Sequence, residues 1–335
     1  MSARLSQFIA QENSKPQISV VVPAVNAASR IKKAVLSALN QTYPVLEIII
    51  VDDDSEDETG DLVGSLARSD PRVHYIRHPF KRGIHTAFNS GIRNAQGKWI
   101  AFLNPEDEWC TEKLEKQVEV IVNSPFLPGV VGCGYREAAS AGQPGREHPY
   151  QLRGHVYKDL LASYGPGPAS ILLVKKDVLE EAGGFDERAR GYYEWDLCLR
   201  LSQHSLFDGV PEPLVEFNPR ARNITGSGKG RTVQAYLDVV SIYQHEIQSE
   251  CGLETYEKHK EQARERYLWH ADQFLHQRDY ARASKAFHLA GKIPPRKSGL
   301  ILQALALRAL PHVYGWFYSK KQNTDSRAVV EHVNP

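Results

Sequence analysis

The sequence predicts an α/β fold, an open and mostly parallel sheet flanked by helices, followed by an all-helical C-terminal region. Three observations carry this expectation. Strand and helix signals alternate through the first 130 residues. The central strand runs are continuous apolar stretches, as expected where helices cover both faces of a parallel sheet. Beyond residue 231 the pattern is almost wholly helical. The 335 residues are enough to bury a sizeable core, and 41% hydrophobic with 24% charged residues is the composition of a soluble globular protein.

The elements follow in order. "ISVVVP" is a β-branched run closed by Pro23, and "SRIKKAVLSALNQ" carries Ile31, Ala34, Val35, Ala38 and Leu39 at helical spacing. "LEIIIVDDD" reads as strand, "DETGDLVGSLAR" as helix, "RVHYIRH" as strand, "HTAFNSGIRNAQ" as helix and "KWIAFLN" as strand. From about residue 145, Gly- and Pro-rich loops separate a strand, "SILLVKK", from a short helix ending in "AGGFDE". A helix beginning near Glu194 and a strand, "SLFDGV", come next, and "NITGSGKGR" is a flexible loop. In the helical region "DYARASKAFHLAGKIP" resembles the second half of a tetratricopeptide unit, and one copy does not make a solenoid.

Several function classes drop out. A formal charge of +1 lacks the basic face of a nucleic-acid binder. Cys110, Cys133, Cys198 and Cys251 are scattered without metal spacing, which suits reduced, mostly buried thiols in a cytoplasmic protein. The first 17 residues hold no apolar core of signal-peptide length, and Arg308, Pro311 and His312 interrupt the one stretch approaching a membrane span. No GxGxxG follows the first strand, no GxxxxGK[ST] occurs, and nothing reads as a GxSxG elbow.

What remains is a ligand site built from acids. Open α/β sheets bind ligands at the carboxyl ends of their strands. There the chain places Pro23–Asn26, "VDDDSED" (51–57) and "LNPEDE" (103–108). Acids from neighbouring strand ends can hold a nucleobase, a ribose and a divalent cation that neutralises a diphosphate. Asp52–Asp54 and Asp57 also suit helix capping, the favoured reading for Asp57 but not for Asp53.

"ISVVVPAVN", "VLSALNQTYPVLEIIIVDDDSEDET", "RGIHTAFNSGIRNAQGKWIAFLNPEDEW", "ASILLVKKDVLEEAGGFDE" and "YYEWDLCLRL" occur in the order found in family 2 (GT-A fold) glycosyltransferases, which the chain resembles over residues 16–220. The resemblance implies a GT-A domain over 16–225, with a nucleotide-binding half (16–130) and an acceptor half (131–225). Outside the resemblance, the sequence predicts an N-terminal extension over 1–15, a helical region over 231–320 and a disordered tail over 321–335. The resemblance implies an inverting enzyme that moves a sugar from a nucleoside-diphosphate sugar to a hydroxyl of a glycan or lipid-linked acceptor in polysaccharide biosynthesis. The donor set is Pro23, Asn26, Asp53, Arg82 and Asn104, with Asp53 on the nucleobase. Glu106 and Asp107 fall where the family binds Mg²⁺ or Mn²⁺. Glu194 matches the base that deprotonates the acceptor. Gly184, Phe185, Asp186 and Trp195 line the acceptor side, although Asp186 and Glu187 also read as ordinary helix-end acids.

Three spellings depart from the family. Val25 replaces an aromatic that stacks on the base, Asp54 replaces a glycine in a left-handed turn, and Asn-Pro-Glu-Asp replaces "LDxDD". These departures keep a second reading open, a catalytically inactive nucleotide-sugar or glycan-binding homologue. Asp196 and Arg200 stand at i, i+4 as a structural pair, and Asn89 suits bracing a loop. Lys229 and Arg231 suit either closure over phosphates or a solvated linker. Tyr314, Trp316, Phe317 and Tyr318, followed by Lys320 and Lys321, fit packing against the catalytic domain first and peripheral association with the inner face of a membrane second.

Overall fold

A computed structural model describes residues 16–139, 145–189, 191–218 and 229–309. The predicted N-terminal extension, most of the "NITGSGKGR" loop, the aromatics at 314–318, the lysines at 320 and 321 and the tail lie outside these residues. So do the side chains of Lys229 and Arg231. The chain divides into two compact units, Met1–Thr225 and Gly226–Pro335.

The first unit is built on one sheet. Its strands are β1 (Ile18–Ala24), β2 (Glu47–Asp52), β3 (Val73–Arg77), β4 (Trp99–Phe102), β5 (Glu108–Trp109), β6 (Val130–Glu137), β7 (Glu147–His148), β8 (Leu173–Lys175) and β9 (Phe207–Phe217). The order is β3-β2-β1-β4-β8-β6-β9-β5, with β7 pairing β6. Every residue of β1, β2 and β4 is buried, which is why these runs are apolar without alternation. Strands β3, β2, β1 and β4 are mutually parallel. The other half is mixed, since β8 runs antiparallel to β4 and β6 while β9 is parallel to β6.

Helices α1 (Ile31–Leu39), α2 (Thr59–Ser69), α3 (Ile84–Asn94), α4 (Lys113–Asn123), α5 (Tyr157–Ala162), α6 (Lys176–Glu181) and α7 (Tyr193–His204) cover the sheet. In α1 the buried positions are Ile31, Ala34, Val35 and Ala38, the stripe its spacing predicts. Strand β9 runs well beyond the predicted "SLFDGV", through Pro211 and Pro213. Its register against β6 shifts on either side of Gly134, which pairs with Pro213, so the missing N–H groups fall at an irregularity in the ladder.

In the second unit α8 (Lys229–Ile242), α9 (Leu253–His276), α10 (Tyr280–Lys292) and α11 (Ser298–Ala309) follow one another. Phe274, Leu275, Ala283 and Leu307 form a buried cluster, and Asp279 caps α10 by accepting from the Arg282 N–H. All four cysteines are free; Cys133 and Cys198 are buried, Cys251 is half-buried and Cys110 is exposed. Burial pushes the Cys133 and Cys198 thiols up to about 12. Among the described residues no helix is long and apolar enough to cross a membrane.

Candidate active site

The parallel strands set the site. The chain lays down β1, β2 and β3 outward in one direction, then returns to place β4 on the other side of β1. That reversal opens a crevice beyond the carboxyl ends of β1 and β4, the usual ligand position in such sheets. The Asp53 N–H donates to the Ala24 carbonyl at 2.8 Å, and the Leu103 N–H to the Val21 carbonyl at 3.0 Å. The segments that leave β2, β1 and β4 therefore run side by side. Asn26, Asp53 and Asn104 each lie on one of these segments, while Pro23 is buried within β1.

The exits from β1 and β2 are stitched together. Asn26 is left-handed (φ 46°), its N–H donates to the Ser55 hydroxyl at 2.9 Å, and its side-chain oxygen accepts from the Glu56 N–H at 2.9 Å. Asp57 accepts from the Thr59 N–H at 3.0 Å and the Ala28 N–H at 3.2 Å, so it ties the two loops together as well as sitting at the start of α2. Asp54 has φ 58°, the left-handed turn where the family spells glycine. Val25 is exposed at the mouth.

Asp53 is 5% exposed, and its carboxylate accepts three hydrogen bonds. The His78 Nδ1–H donates at 2.7 Å, the Arg82 N–H at 2.9 Å and the Gly83 N–H at 2.7 Å. It thereby shapes the turn into α3, and the exposed Arg82 leaves from this same turn.

The exit from β4 is organised by Asp107, which has no exposed surface. Its Oδ2 accepts from the Ser170 hydroxyl at 2.6 Å and the Asn104 amide at 3.1 Å, and its Oδ1 accepts from the Asn218 N–H at 3.1 Å. The Asn104 N–H in turn donates to the Ser170 hydroxyl at 3.0 Å. Asp107 was expected to be a metal ligand; here it is the buried acceptor that fixes its own loop. Asn104 was expected to accept from a ribose; here its amide nitrogen donates to Asp107. Glu106 stands nearer the surface, its Oε2 3.7 Å from the Arg30 Nε.

The residues expected on the acceptor side surround the start of α7. Asn89 braces the Gly-Gly-Phe turn, donating to the Phe185 carbonyl and accepting from the Phe185 N–H, both at 2.8 Å. Gly184 has φ 69°, and a Cβ there would meet the Asn89 side-chain oxygen at 2.5 Å, so no other residue fits without a shift. Arg200 holds the turn from the other side through the Ala182 and Gly184 carbonyls and its ion pair with Asp196. Asp186 is paired with Arg188 at 2.6 Å, and this hydrogen bond keeps its carboxyl below the usual range.

Phe185 stacks on Phe88 with centroids 4.5 Å apart, and both rings contact Phe102, the last residue of β4. Tyr193 packs on Phe88, Phe185 and His85, which fixes the first turn of α7 against β4. Glu194 lies in that turn with no exposed surface. Trp195 was expected to face the acceptor; it is 1% exposed and donates its indole N–H to the Leu160 carbonyl at 2.7 Å.

Beyond β6 the first unit also holds a cavity of about 610 Å³ lined by Tyr135, Arg146, His148, Asp159 and Tyr164 among others. Tyr135 and His148 stack at 4.5 Å, and Tyr164 packs edge-on against Tyr192 and Trp195, which flank Glu194 in the chain. The sequence reading missed this cavity, and it missed Ser170, His78 and Arg30. Only Arg30 had a local signal, as a basic residue entering a helix at a strand end that was already suspected.

The donor set can be tested against a divalent cation. Mg²⁺ is typically held by one or two carboxylates together with substrate phosphates. Here Asp107 is buried and committed to three protein donors, Asn104 carries no charge and Glu106 already faces a guanidinium. Among the described residues no three His, Cys, Asp or Glu side chains are grouped to hold an ion. The residues present do not fit the metal site that the strand-4 motif leads one to expect.

The strand order and the crevice make a fold of GT-A type. Residues 19–178 match the model of the family described as Glycosyl transferase family 2. TuaG of Bacillus subtilis (strain 168), named for teichuronic acid biosynthesis, is 33% identical over 161 residues, 48% of this chain and 63% of TuaG. WfaP of Escherichia coli, named a UDP-Glc:alpha-D-GlcNAc-diphosphoundecaprenol beta-1,3-glucosyltransferase, is 38% identical over 101 residues, 30% of this chain and 39% of WfaP. The chain thus spans less than two thirds of either relative. Among solved structures, Staphylococcus aureus TarS 1–349 in complex with UDP-GlcNAc gives a TM-score of 0.58 at 15% identity, covering 88% of this chain and 87% of TarS 1–349. Mannosyltransferase PcManGT of Pyrobaculum calidifontis, in complex with GDP-Man and Mn²⁺, gives 0.54 at 16% identity, covering 96% of this chain and 88% of PcManGT.

Proposed function

We propose that this chain is an inverting glycosyltransferase that moves a sugar from a nucleoside-diphosphate donor to a hydroxyl of a glycan or lipid-linked acceptor. One observation carries the reading. The exits of β1, β2 and β4, with Asn26, Asp53, Asn104 and Glu106, converge at the crevice of a sheet that matches this family over 19–178. The names of WfaP and PcManGT support a nucleotide-sugar donor, and WfaP's name supports an acceptor on a lipid diphosphate. With such an acceptor the chain works peripherally at the cytoplasmic face of a membrane.

In this reading the acceptor oxygen attacks the anomeric carbon from the face opposite the diphosphate. Its proton passes to Glu194, and the bond from the anomeric carbon to the diphosphate oxygen breaks with its electron pair leaving on the diphosphate. A single displacement inverts the anomeric centre. The stacked Tyr135 and His148 offer an apolar face for an acceptor sugar ring. Glu194 must come within about 3 Å of the hydroxyl, so with zero exposure it must be uncovered when acceptor binds. That burial also favours the second reading, a binding homologue without catalysis.

The test is a nucleotide-sugar turnover panel with candidate lipid-linked and free glycan acceptors, run on wild type and Glu194→Gln. Loss of turnover by about 100-fold or more, the contribution typical of a general base, with donor affinity retained, supports the enzyme. Tight donor binding with no turnover in any pairing refutes it in favour of the binding homologue.

A further inference from the structure

We propose that Arg30 is the built-in cation for the donor diphosphate, acting where the strand-4 motif leads one to expect a divalent metal. The inference rests on the glycosyl-transfer reading above. Arg30 stands at the topological switch, between the exits of β1 and β4. It is the residue before the nine-residue helix α1, and its backbone N–H donates to the Ala27 carbonyl at 2.9 Å. Two contacts aim its side chain across the crevice: Nη2 donates to the Asn26 carbonyl at 3.3 Å, and Nε lies 3.7 Å from the Glu106 Oε2. The Arg30 and Glu106 side chains are 25% and 12% exposed, so the pair is largely withdrawn from water.

The remaining donors decide the role. Among the described residues no acceptor is found for the Arg30 Nη1 hydrogens, and Nη1 and Nη2 together form the planar fork that matches two phosphate oxygens. The start of α1 beside it adds the positive end of a helix dipole. A dication on the Glu106 carboxylate would stand against this guanidinium, and like charges that close in a half-buried site repel strongly. Glu106 therefore orients Arg30 and does not ligate a metal. During transfer the electron pair of the broken anomeric bond collects on the diphosphate oxygen, where Arg30 meets the growing charge, while the acceptor proton goes to Glu194.

The experiment is calorimetric titration of the full chain with UDP, GDP and ADP, and with the matching monophosphates, in EDTA and in MnCl₂. The proteins are wild type, Arg30→Met, Arg30→Lys and Glu106→Gln. The expected result is a preferred diphosphate bound by wild type with the same affinity, within about twofold, in both buffers. Arg30→Met should weaken it by about 10- to 100-fold, the loss expected of a charged hydrogen bond, with a smaller loss for the monophosphate. Arg30→Lys, which keeps the charge but not the fork, should fall between the two and also covers a Met variant that does not fold. Glu106→Gln should bind in EDTA. The proposal is overturned if Mn²⁺ tightens wild-type binding about tenfold or more and Glu106→Gln removes that gain while either Arg30 variant keeps it. A folded wild type that binds no diphosphate in either buffer refutes the glycosyl-transfer reading itself and the proposal with it, a result distinct from metal-dependent binding.

Discussion

Lys113 has no exposed surface, yet it lies one turn from the strand-4 loop. Its Nζ donates to the Gln117 side-chain oxygen at 2.8 Å and sits 4.1 Å from the centroid of the Trp109 ring. Burial pulls its ammonium from the ordinary 10.5 down to about 8. At about 1.4 kcal/mol per pH unit, that distance is worth about 3 kcal/mol. Below pH 8 both folded and unfolded chains hold the proton, and the folded state bears the whole cost of the buried charge. Between about 8 and 10.5 the unfolded chain still holds the proton and the folded chain has released it, so stability rises with pH through this window.

Lys113→Met keeps the volume and removes the charge. The variant should be more stable than wild type below pH 8 by about 1 kcal/mol, because the lost hydrogen bond and ring contact, at about 1 kcal/mol each, offset most of the gain. That advantage should shrink and reverse toward pH 10.5, a swing of about 3 kcal/mol between the two proteins. Urea unfolding of both across this window checks it, since tyrosines and other lysines titrate alike in both and cancel. A difference that stays flat with pH would refute the reasoning, because it would mean the buried lysine sheds no proton before the unfolded one does.

Two further outcomes follow from the same geometry. Gly184→Ala must hold a left-handed backbone and push the Asn89 amide aside, so it should cost about 1–3 kcal/mol and lower the thermal midpoint; an unchanged midpoint would count against the bracing role of Asn89. Asp53→Asn leaves an amide group facing one of three donors, which should cost about 1–3 kcal/mol and weaken diphosphate binding through the Arg82–Gly83 turn; unchanged affinity with lowered stability would confine Asp53 to a structural part.

The first seven elements, β1 to β4 with α1 to α3, were legible because β1, β2 and β4 are buried along their whole length and α1 carries one apolar stripe, so periodicity alone located them to within two residues. The rest of the sheet resisted for physical reasons. Strands β5 and β7 have two residues each, too few for any period to register. Strand β9 carries two prolines that read as breakers, and tertiary pairing with β6 overrides them at the shift in register. At the site, the acids were visible but their tasks were not. A carboxylate at a strand end can face a ligand or face the protein, and the difference lies in donors distant in sequence. Asp107 takes a hydroxyl from Ser170 and an N–H from Asn218, and Asp53 takes a ring N–H from His78, which has no metal or catalytic spacing of its own. Trp195 shows the same ambiguity for an aromatic: it follows the candidate base, yet its partner is a core carbonyl on α5.

The Asn-Pro-Glu-Asp spelling at the end of β4 now has a cause. Asp107 lies fully buried with its Oδ2 3.1 Å from the Asn104 Nδ2, so position 104 must supply a donor. Restoring the family's aspartate by Asn104→Asp replaces that donor with a second carboxylate at the same distance. Two unit charges about 3 Å apart repel by about 5 kcal/mol at an effective dielectric near 20. Protonation of one of them limits this, and a net loss of about 2–4 kcal/mol is expected. Thermal unfolding should show a midpoint lowered by several degrees at neutral pH, with part of the loss recovered in acid as one carboxyl takes up a proton. An Asn104→Asp chain as stable as wild type, or one that gains Mn²⁺-dependent diphosphate binding, would mean that Asp107 can turn outward to a metal. The neutral spelling would then be a matter of choice and not a requirement of the buried acid.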